Sequence, residues 1–242
     1  MIKGPCKKSE LAAMRYVAKH TSIPIPNVLK IHHYNDDNYV EMDFVQGVNL
    51  EAAWHRDKLS EDQKKHIIVE LGDYISQLRR LEPPREGIVA SAGLDEALDH
   101  RVGCFTFGPF ATHQGFHSYL RAGIPLENCD EGIGPEVTKC HSRTYRSCFT
   151  HADIAPRNIM INDGKISAII DWEFGGWYPE YWEYTKAHYG RTNRQEWYDG
   201  LENAMERYDN ELKAEQILWR RLDEPQLLWR GREHLIPTLD PA

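Results

Sequence analysis

The stretch Thr150-His151-Ala152-Asp153-Ile154-Ala155-Pro156-Arg157-Asn158 carries the pattern H-x-D-x-x-x-x-N, and Asp171 closes a second apolar run shortly downstream. A loop from Asp153 to Asn158 presents a carboxylate and an amide oxygen to one cleft, and a hairpin between Asn158 and Asp171 returns the second acid beside them. Asn158 and Asp171 then offer the neutral and anionic oxygens that Mg²⁺ accepts while nucleotide phosphates and water complete its octahedron. Asp153 is left free as a general base. Phosphoryl transfer asks the protein mainly for positioning and charge neutralisation, with an aspartate taking the proton of the attacking hydroxyl. His151 belongs to the same candidate catalytic set, its stronger reading being to structure the loop through hydrogen bonds. Arg157 is read as a partner of phosphate or of an acidic neighbour.

The elements that must hold these groups are readable on both sides. Asn158 to Ile161 and Lys165 to Ile170 flank Asn162-Asp163-Gly164, and Asp-Gly between two apolar runs predicts a hairpin. Arg146 to Thr150 leads into the loop. Upstream, Leu11, Met14, Val17 and Ala18 recur at spacings of three and four behind Ser9, the expected N-cap, so a helix runs to about Thr21. Pro24 and Pro26 cannot continue it. Val28 to Tyr34 and Tyr39 to Val45 flank the turn cluster Asn35-Asp36-Asp37-Asn38, which predicts a second hairpin with Val40, Met42 and Phe44 on its buried face. Gln46-Gly47 breaks the pattern and divides the chain into a small lobe, residues 1–46, and a larger one, residues 47–242. Ser60 with Gln63 has capping-box form, and Ile67, Leu71, Tyr74, Ile75 and Leu78 trace a helical stripe behind it. Residues 83–112 read as mostly loop with short elements and 122–140 as loop-like, Gly115 to Leu120 as the start of a helix, and Arg194 to Trp229 as mainly helical.

In this order the pieces resemble the aminoglycoside phosphotransferase and choline kinase-like branch of the protein-kinase-like superfamily, in particular fungal phosphotransferase-domain proteins. His151-Ala152-Asp153 through Asn158 looks like the catalytic loop of that family, and Ile170-Asp171-Trp172-Glu173 like its metal-binding aspartate segment. His20-Thr21-Ser22-Ile23-Pro24-Ile25-Pro26 resembles the join between the regulatory helix and the next strand. Val40 through Gly47 is similar to the lobe-connecting hinge, and Gly176 through Glu183 to a segment that follows the metal aspartate. The resemblance spans residues 3–190.

It implies an α+β, protein-kinase-like fold with a partial N-terminal β lobe and a mainly helical C-terminal lobe. It implies ATP as phosphoryl donor, Mg²⁺, and a small molecule whose hydroxyl is the acceptor. The backbone of Met42, Asp43 and Phe44 would receive adenine, and Lys3, paired with Glu10, would hold phosphates. The family's glycine-rich hairpin, which covers the phosphates, has no counterpart here: neither G-x-G-x-x-G nor G-x-x-x-x-G-K-[ST] occurs. With Met1 as the start, Lys3 is expected at a frayed terminus and the nucleotide is expected to bind weakly. The rival reading is therefore a catalytically inactive kinase-like binding or scaffold protein.

Composition narrows the alternatives. Across 242 residues, 29 Lys and Arg stand against 37 Asp and Glu, a net charge of −8, which argues against a nucleic-acid partner. No apolar run approaches the roughly 20 residues that span a bilayer, and no signal-peptide core is present, so the expectation is a soluble cytoplasmic protein. The odd set Cys6, Cys104, Cys129, Cys140 and Cys148 contains no C-x-x-C and reads as ordinary thiols. His113 and His117 have the spacing of a zinc pair, yet Gln114 stands where a general-base glutamate would be needed. The aromatic cluster Trp172, Phe174, Trp177, Tyr178, Tyr181, Trp182 and Tyr184 reads first as packing and only second as a cage for a quaternary ammonium.

Overall fold

The structure is a computed structural model that describes residues 1–55, 58–189 and 195–225. Its first sheet joins β1 (Ile2–Lys3), β2 (Val28–Tyr34) and β3 (Asp37–Met42), all antiparallel, in the order β1-β3-β2. The turn of the β2–β3 hairpin is tighter than the four-residue cluster suggests. Asn35 and Asp36 alone form it, with φ of 48° and 64°, a left-handed pair that short polar side chains tolerate. Asp37 and Asn38 are consequently pulled into the ladder opposite Tyr34 and His33. β3 ends at Met42, so Phe44 falls outside it and is 67% exposed, contrary to its expected place on the buried face.

Helix α1 (Lys8–His20) buries Leu11, Ala13, Met14 and Val17. Ser9 does not cap it. Lys7 occupies that position without a side-chain bond, and the Ser9 hydroxyl instead donates to the Glu173 carbonyl at 3.3 Å. Residues 43–47 cross to β4 (Val48–Asn49) and α2 (Leu50–His55). Gly47 takes φ of 114° at this crossing, where a Cβ would lie 2.0 Å from the Ile161 carbonyl oxygen, so only glycine fits the backbone approach. Helix α3 (Glu61–Arg79) begins at the expected reciprocal cap: the Gln63 amide donates to Ser60 Oγ at 3.2 Å and the Ser60 amide to Gln63 Oε1 at 2.9 Å. Its stripe of Ile67, Leu71, Ile75 and Leu78 is buried.

The remaining strands frame the candidate loop. β5 (Ala90–Ser91), β6 (Ser147–Thr150) and β9 (Gly176–Pro179) form an antiparallel sheet ordered β5-β9-β6, while β7 (Ile159–Asn162) and β8 (Lys165–Ile169) form the predicted hairpin, with β4 paired to β7. Because β6 ends where His151 begins and β9 starts five residues after Asp171, the pairing of Thr150 with Gly176 ties the two motif segments together. Apart from β5, residues 83–112 are loop held by isolated bridges, Val89 with Phe110 and Ala97 with Phe107.

Helix α4 (His113–Leu120) is capped by Thr112. Residues 122–140 are not loop: a 3₁₀ turn at Leu126–Asn128 precedes α5 (Cys129–Gly132) and α6 (Pro135–His141). Proline at the first position of α6 is compatible with a helix start, and the helix buries Val137 and Cys140, too short a run to show a period. α7 (Trp182–Tyr189), α8 (Gln195–Ala204) and α9 (Asp209–Arg221) complete the chain. Of the expected helical tail, Arg194 and residues 226–229 lie outside the described residues. Among the described residues no helix is long and apolar enough to cross a membrane.

Two apolar cores result. One packs α1, β3 and α2 against α3 and the β7–β8 hairpin, and the other packs Phe107, Phe116, Tyr178, Tyr181 and Trp182 against α9 through Leu218. Every aromatic residue of the 172–184 cluster is buried, which makes it packing and leaves no open cage for an ammonium ion. The five cysteines are unpaired thiols, and only Cys104 is exposed.

Candidate active site

The loop after β6 turns sharply at Ala152, whose φ of 63° is left-handed. For a residue with a Cβ that conformation costs about 1–2 kcal/mol. Glu183, at the start of α7, offsets it by accepting the amides of His151 at 2.7 Å and Ala152 at 3.0 Å, one on each carboxylate oxygen. Burial pushes the Glu183 carboxyl up to about 7, and the two backbone amides pull the other way. Nothing local in the sequence marks this residue, because its partners are main-chain groups some thirty positions away.

His151 is fully buried, with its ring 4.4 Å from that of Trp172. Its Nε2 faces the Ile170 carbonyl at 3.0 Å, and its Nδ1 accepts the Asp153 amide at 3.1 Å. These partners put the proton on Nε2, and burial holds the imidazole below its usual pKa, hence neutral. With both nitrogens committed to the backbone, His151 holds the loop and has no free nitrogen for acid–base work, which corrects its inclusion among the catalytic candidates.

Asp153 projects from this brace. Its Oδ1 and Oδ2 both accept from Arg157 Nη2, at 2.6 and 2.7 Å, and Oδ2 also accepts from Asn158 Nδ2 at 2.7 Å. Arg157 has therefore taken the acidic neighbour. Asn158 spends its amide nitrogen on Asp153, including the Asp153 carbonyl at 2.9 Å, so its Oδ1 is the atom left to face a cation. The Asn158 carbonyl accepts the Ile170 amide at 2.9 Å, which fixes the loop against the residue preceding Asp171.

Asp171 is itself left-handed, with φ of 67°. Its Oδ1 accepts from Lys3 Nζ at 2.7 Å, and Lys3 also donates to Glu10 Oε1 at 2.5 Å. Glu10 is buried in α1 and receives the Cys6 thiol on its other oxygen at 3.0 Å. Burial alone would lower the Lys3 pKa, but the Asp171 and Glu10 carboxylates raise it above the usual lysine value. Lys3 is thus not frayed: it is paired opposite Val40 in the sheet, and its partner is no solvated surface charge.

A cavity of about 360 Å³ opens beside this ion pair and is lined by Lys3, Glu10, Met42, Phe44, Ile170, Asp171 and Trp172 among others. Four of the chain's five methionines, Met1, Met14, Met42 and Met160, contribute adaptable thioether walls. The expected base-binding backbone is only partly available. Met42 exchanges its amide and carbonyl with Met1, at 2.9 and 2.6 Å, and the Asp43 amide donates to the Asn27 carbonyl at 3.1 Å. Phe44 is left, its backbone groups without a partner among the described residues. Asp43 does not reach the cavity; its carboxylate accepts from Asn27 Nδ2 at 2.7 Å. Asp153 and Asn158 do not line the cavity either, and sit next to it through the Ile170 backbone.

The oxygens left open, Asn158 Oδ1 and Asp171 Oδ2, are hard donors of the kind Mg²⁺ takes when substrate phosphates supply further ligands. No cluster of three or more His, Cys, Asp or Glu suited to a metal occurs among the described residues. His113 instead meets Ser147 Oγ at 3.1 Å and His117 meets Tyr181 OH at 2.9 Å, so their zinc-like spacing serves packing.

Residues 7–224 match the model of the phosphotransferase enzyme family. Among curated proteins none matches the sequence. Solved structures similar to the chain include aminoglycoside phosphotransferase APH(4)-Ia as a ternary complex with ADP and hygromycin B, at 16% identity over 96% of this chain and 79% of that one, TM-score 0.55. The GDP complex of aminoglycoside 2'-phosphotransferase-IIIa is similar at 15% identity over 93% and 75%, TM-score 0.60. A macrolide 2'-phosphotransferase from Brachybacterium faecium is similar at 13% identity over 87% and 69%, TM-score 0.50. At these identities the likeness shows a common kinase-like fold.

Proposed function

The chain belongs to the phosphotransferase enzyme family, and from that premise we propose that it transfers the γ-phosphoryl group of ATP to a hydroxyl of a small molecule. The observation that carries the proposal is the Lys3–Glu10–Asp171 ion cluster on the wall of a largely apolar cavity, backed directly by the braced Asp153–Asn158 loop. An apolar slot with a few convergent polar groups suits a nucleobase and its phosphates.

In the proposed reaction Asp153 accepts the proton of the acceptor hydroxyl as that oxygen bonds to the γ-phosphorus. The bond from phosphorus to the bridging oxygen breaks, and its electron pair leaves on ADP. Lys3 holds phosphate oxygens, kept charged and aimed by Glu10. Asn158 and Asp171 would hold Mg²⁺, which when bound would neutralise phosphate charge. His151 and Glu183 keep Asp153 in place.

Thermal unfolding with ATP, with and without Mg²⁺, tests the proposal. A ligand at a hundred times its Kd adds about 2.7 kcal/mol to stability, so a melting shift that needs Mg²⁺ is expected, and it should shrink in Asp171→Ala. No shift up to millimolar ATP would remove the enzymatic reading and favour a binding or scaffold role.

A further inference from the structure

We infer that Arg157 is a second catalytic cation, whose unspent guanidinium donors receive the phosphoryl group in transit; this rests on the phosphoryl-transfer reading above. A guanidinium has five N–H donors. Both Arg157 contacts with Asp153 come from one nitrogen, Nη2. The three donors on Nη1 and Nε meet no partner among the described residues, and the side chain is 46% exposed. Arg157 is exposed and Asp153 half-buried, and ion pairs at the surface are worth only about 0–1 kcal/mol, so stability gives little reason for the arrangement.

The charge distribution points the same way. Lys3 has three donors and has committed two, to Glu10 and Asp171. Of the two cations that contact the candidate acids of the site among the described residues, Arg157 is the one with a wholly unspent nitrogen, Nη1, whose two N–H groups are open to the oxygens of a phosphoryl group.

Counting lone pairs fixes where the acceptor must come. A carboxylate offers about four acceptor positions. Asp153 has filled one on Oδ1 and two on Oδ2, so the acceptor hydroxyl is left with Oδ1, the oxygen 2.6 Å from Arg157 Nη2. Reacting atoms in a near-attack arrangement stand about 3–3.5 Å apart. The γ-phosphoryl oxygens therefore arrive beside the same guanidinium that holds the base. As the hydroxyl proton passes to Asp153 and the bridging bond breaks, Arg157 keeps Nη2 on the carboxylate and offers the N–H groups of Nη1 to the charge spreading over the phosphoryl oxygens.

Calorimetric binding of Mg·AMP-PNP and of Mg·ADP separates this role from a structural one, because only the first carries a γ-phosphoryl equivalent. Arg157→Gln is expected to weaken AMP-PNP about tenfold while leaving ADP within twofold. Arg157→Lys keeps the charge but has a single nitrogen to divide between Asp153 and the phosphoryl group, and should recover part of the AMP-PNP affinity at unchanged ADP affinity. Equal weakening of both nucleotides, or of neither, in variants that melt cooperatively overturns the inference alone. A wild-type protein that binds neither nucleotide overturns the phosphotransferase reading and the inference with it.

Discussion

The Asp153 carboxylate accepts three hydrogen bonds at a site where its side chain is 18% exposed. Asparagine in its place presents an amide nitrogen toward Arg157 and Asn158, both donors, and cannot take a proton. Asp153→Asn is therefore expected to lower ATP turnover about 10²–10⁴-fold, the usual contribution of a general base, with Mg·ADP affinity unchanged because the cavity does not include this residue. Turnover and titration on one preparation check both halves; a parallel loss of ADP affinity would mean that Asp153 shapes the cavity instead. The roles proposed for Asp153, Asn158 and Asp171 are readable in the sequence because their chemistry needs particular residue types at particular spacings. Those of Arg157 and Met42 are not. Which partner an arginine selects, and whether a backbone carbonyl is already taken by Met1, depends on groups brought in from elsewhere in the fold.

At the level of elements, the loop at residues 151–158 is held from behind by the first turn of α7. Glu183 can accept the amides of His151 and Ala152 together only with both oxygens free of protons. Glu183→Gln turns one oxygen into a donor that faces an N–H. Faster amide exchange at residues 151–152 and a fall in kcat of about 10²-fold are expected, the scale of a misplaced catalytic group, with little change in KM for ATP. The wild-type carboxyl sits near 7 against an ordinary value of 4.5. Its folded pKa is raised, so its contribution to stability is full below about 4.5 and is lost as pH rises through about 7. Activity should run the other way, rising as Glu183 ionises near pH 7, and this limb should be absent in the glutamine variant; an identical pH profile for both would count against the brace. Other elements vary in legibility for physical reasons. Two-residue turns and a capping box are local, so Asp163-Gly164 and Ser60–Gln63 appear where their residues say. Helices of four and seven residues at 129–141 show no period to read, and Glu183 answers to partners far away in sequence.

Taken as a whole, the molecule carries its second core on buried polar groups as well as on rings. Arg101 and Glu215 pair at 3.2 Å and Lys186 and Asp99 at 2.6 Å, all buried, so α7 and α9 are docked onto the 99–101 segment through desolvated charge. Among them His117 and His141 stack at 4.1 Å with their planes 5° apart. The Arg121 guanidinium donates to His141 Nδ1 at 2.9 Å, and Tyr181 OH meets His117 Nε2, so both rings are neutral. Burial is the main cause that holds His117 down at about 3, with the charges on His113 and Arg121 adding to it, and it holds His141 well below its usual value. A histidine that titrates near 6.5 when unfolded and near 3 when folded contributes stability that is complete above 6.5 and drains away as pH falls toward the folded value. Each such residue costs the fold about 1.4 kcal/mol per pH unit in that window. Raised carboxyls, Glu183 and Glu215 among them, oppose the trend, so the total slope is a poor test and a difference between variants is a better one. His117→Gln loses the ring stack and should be the less stable protein at pH 7.5 in urea unfolding. That deficit should shrink by up to about 1.4 kcal/mol for each unit below pH 6, because the variant no longer keeps a proton out of this position. A deficit that stays constant from pH 7.5 to 5 would mean that His117 is charged in the folded core, and the neutral stack would have to be abandoned.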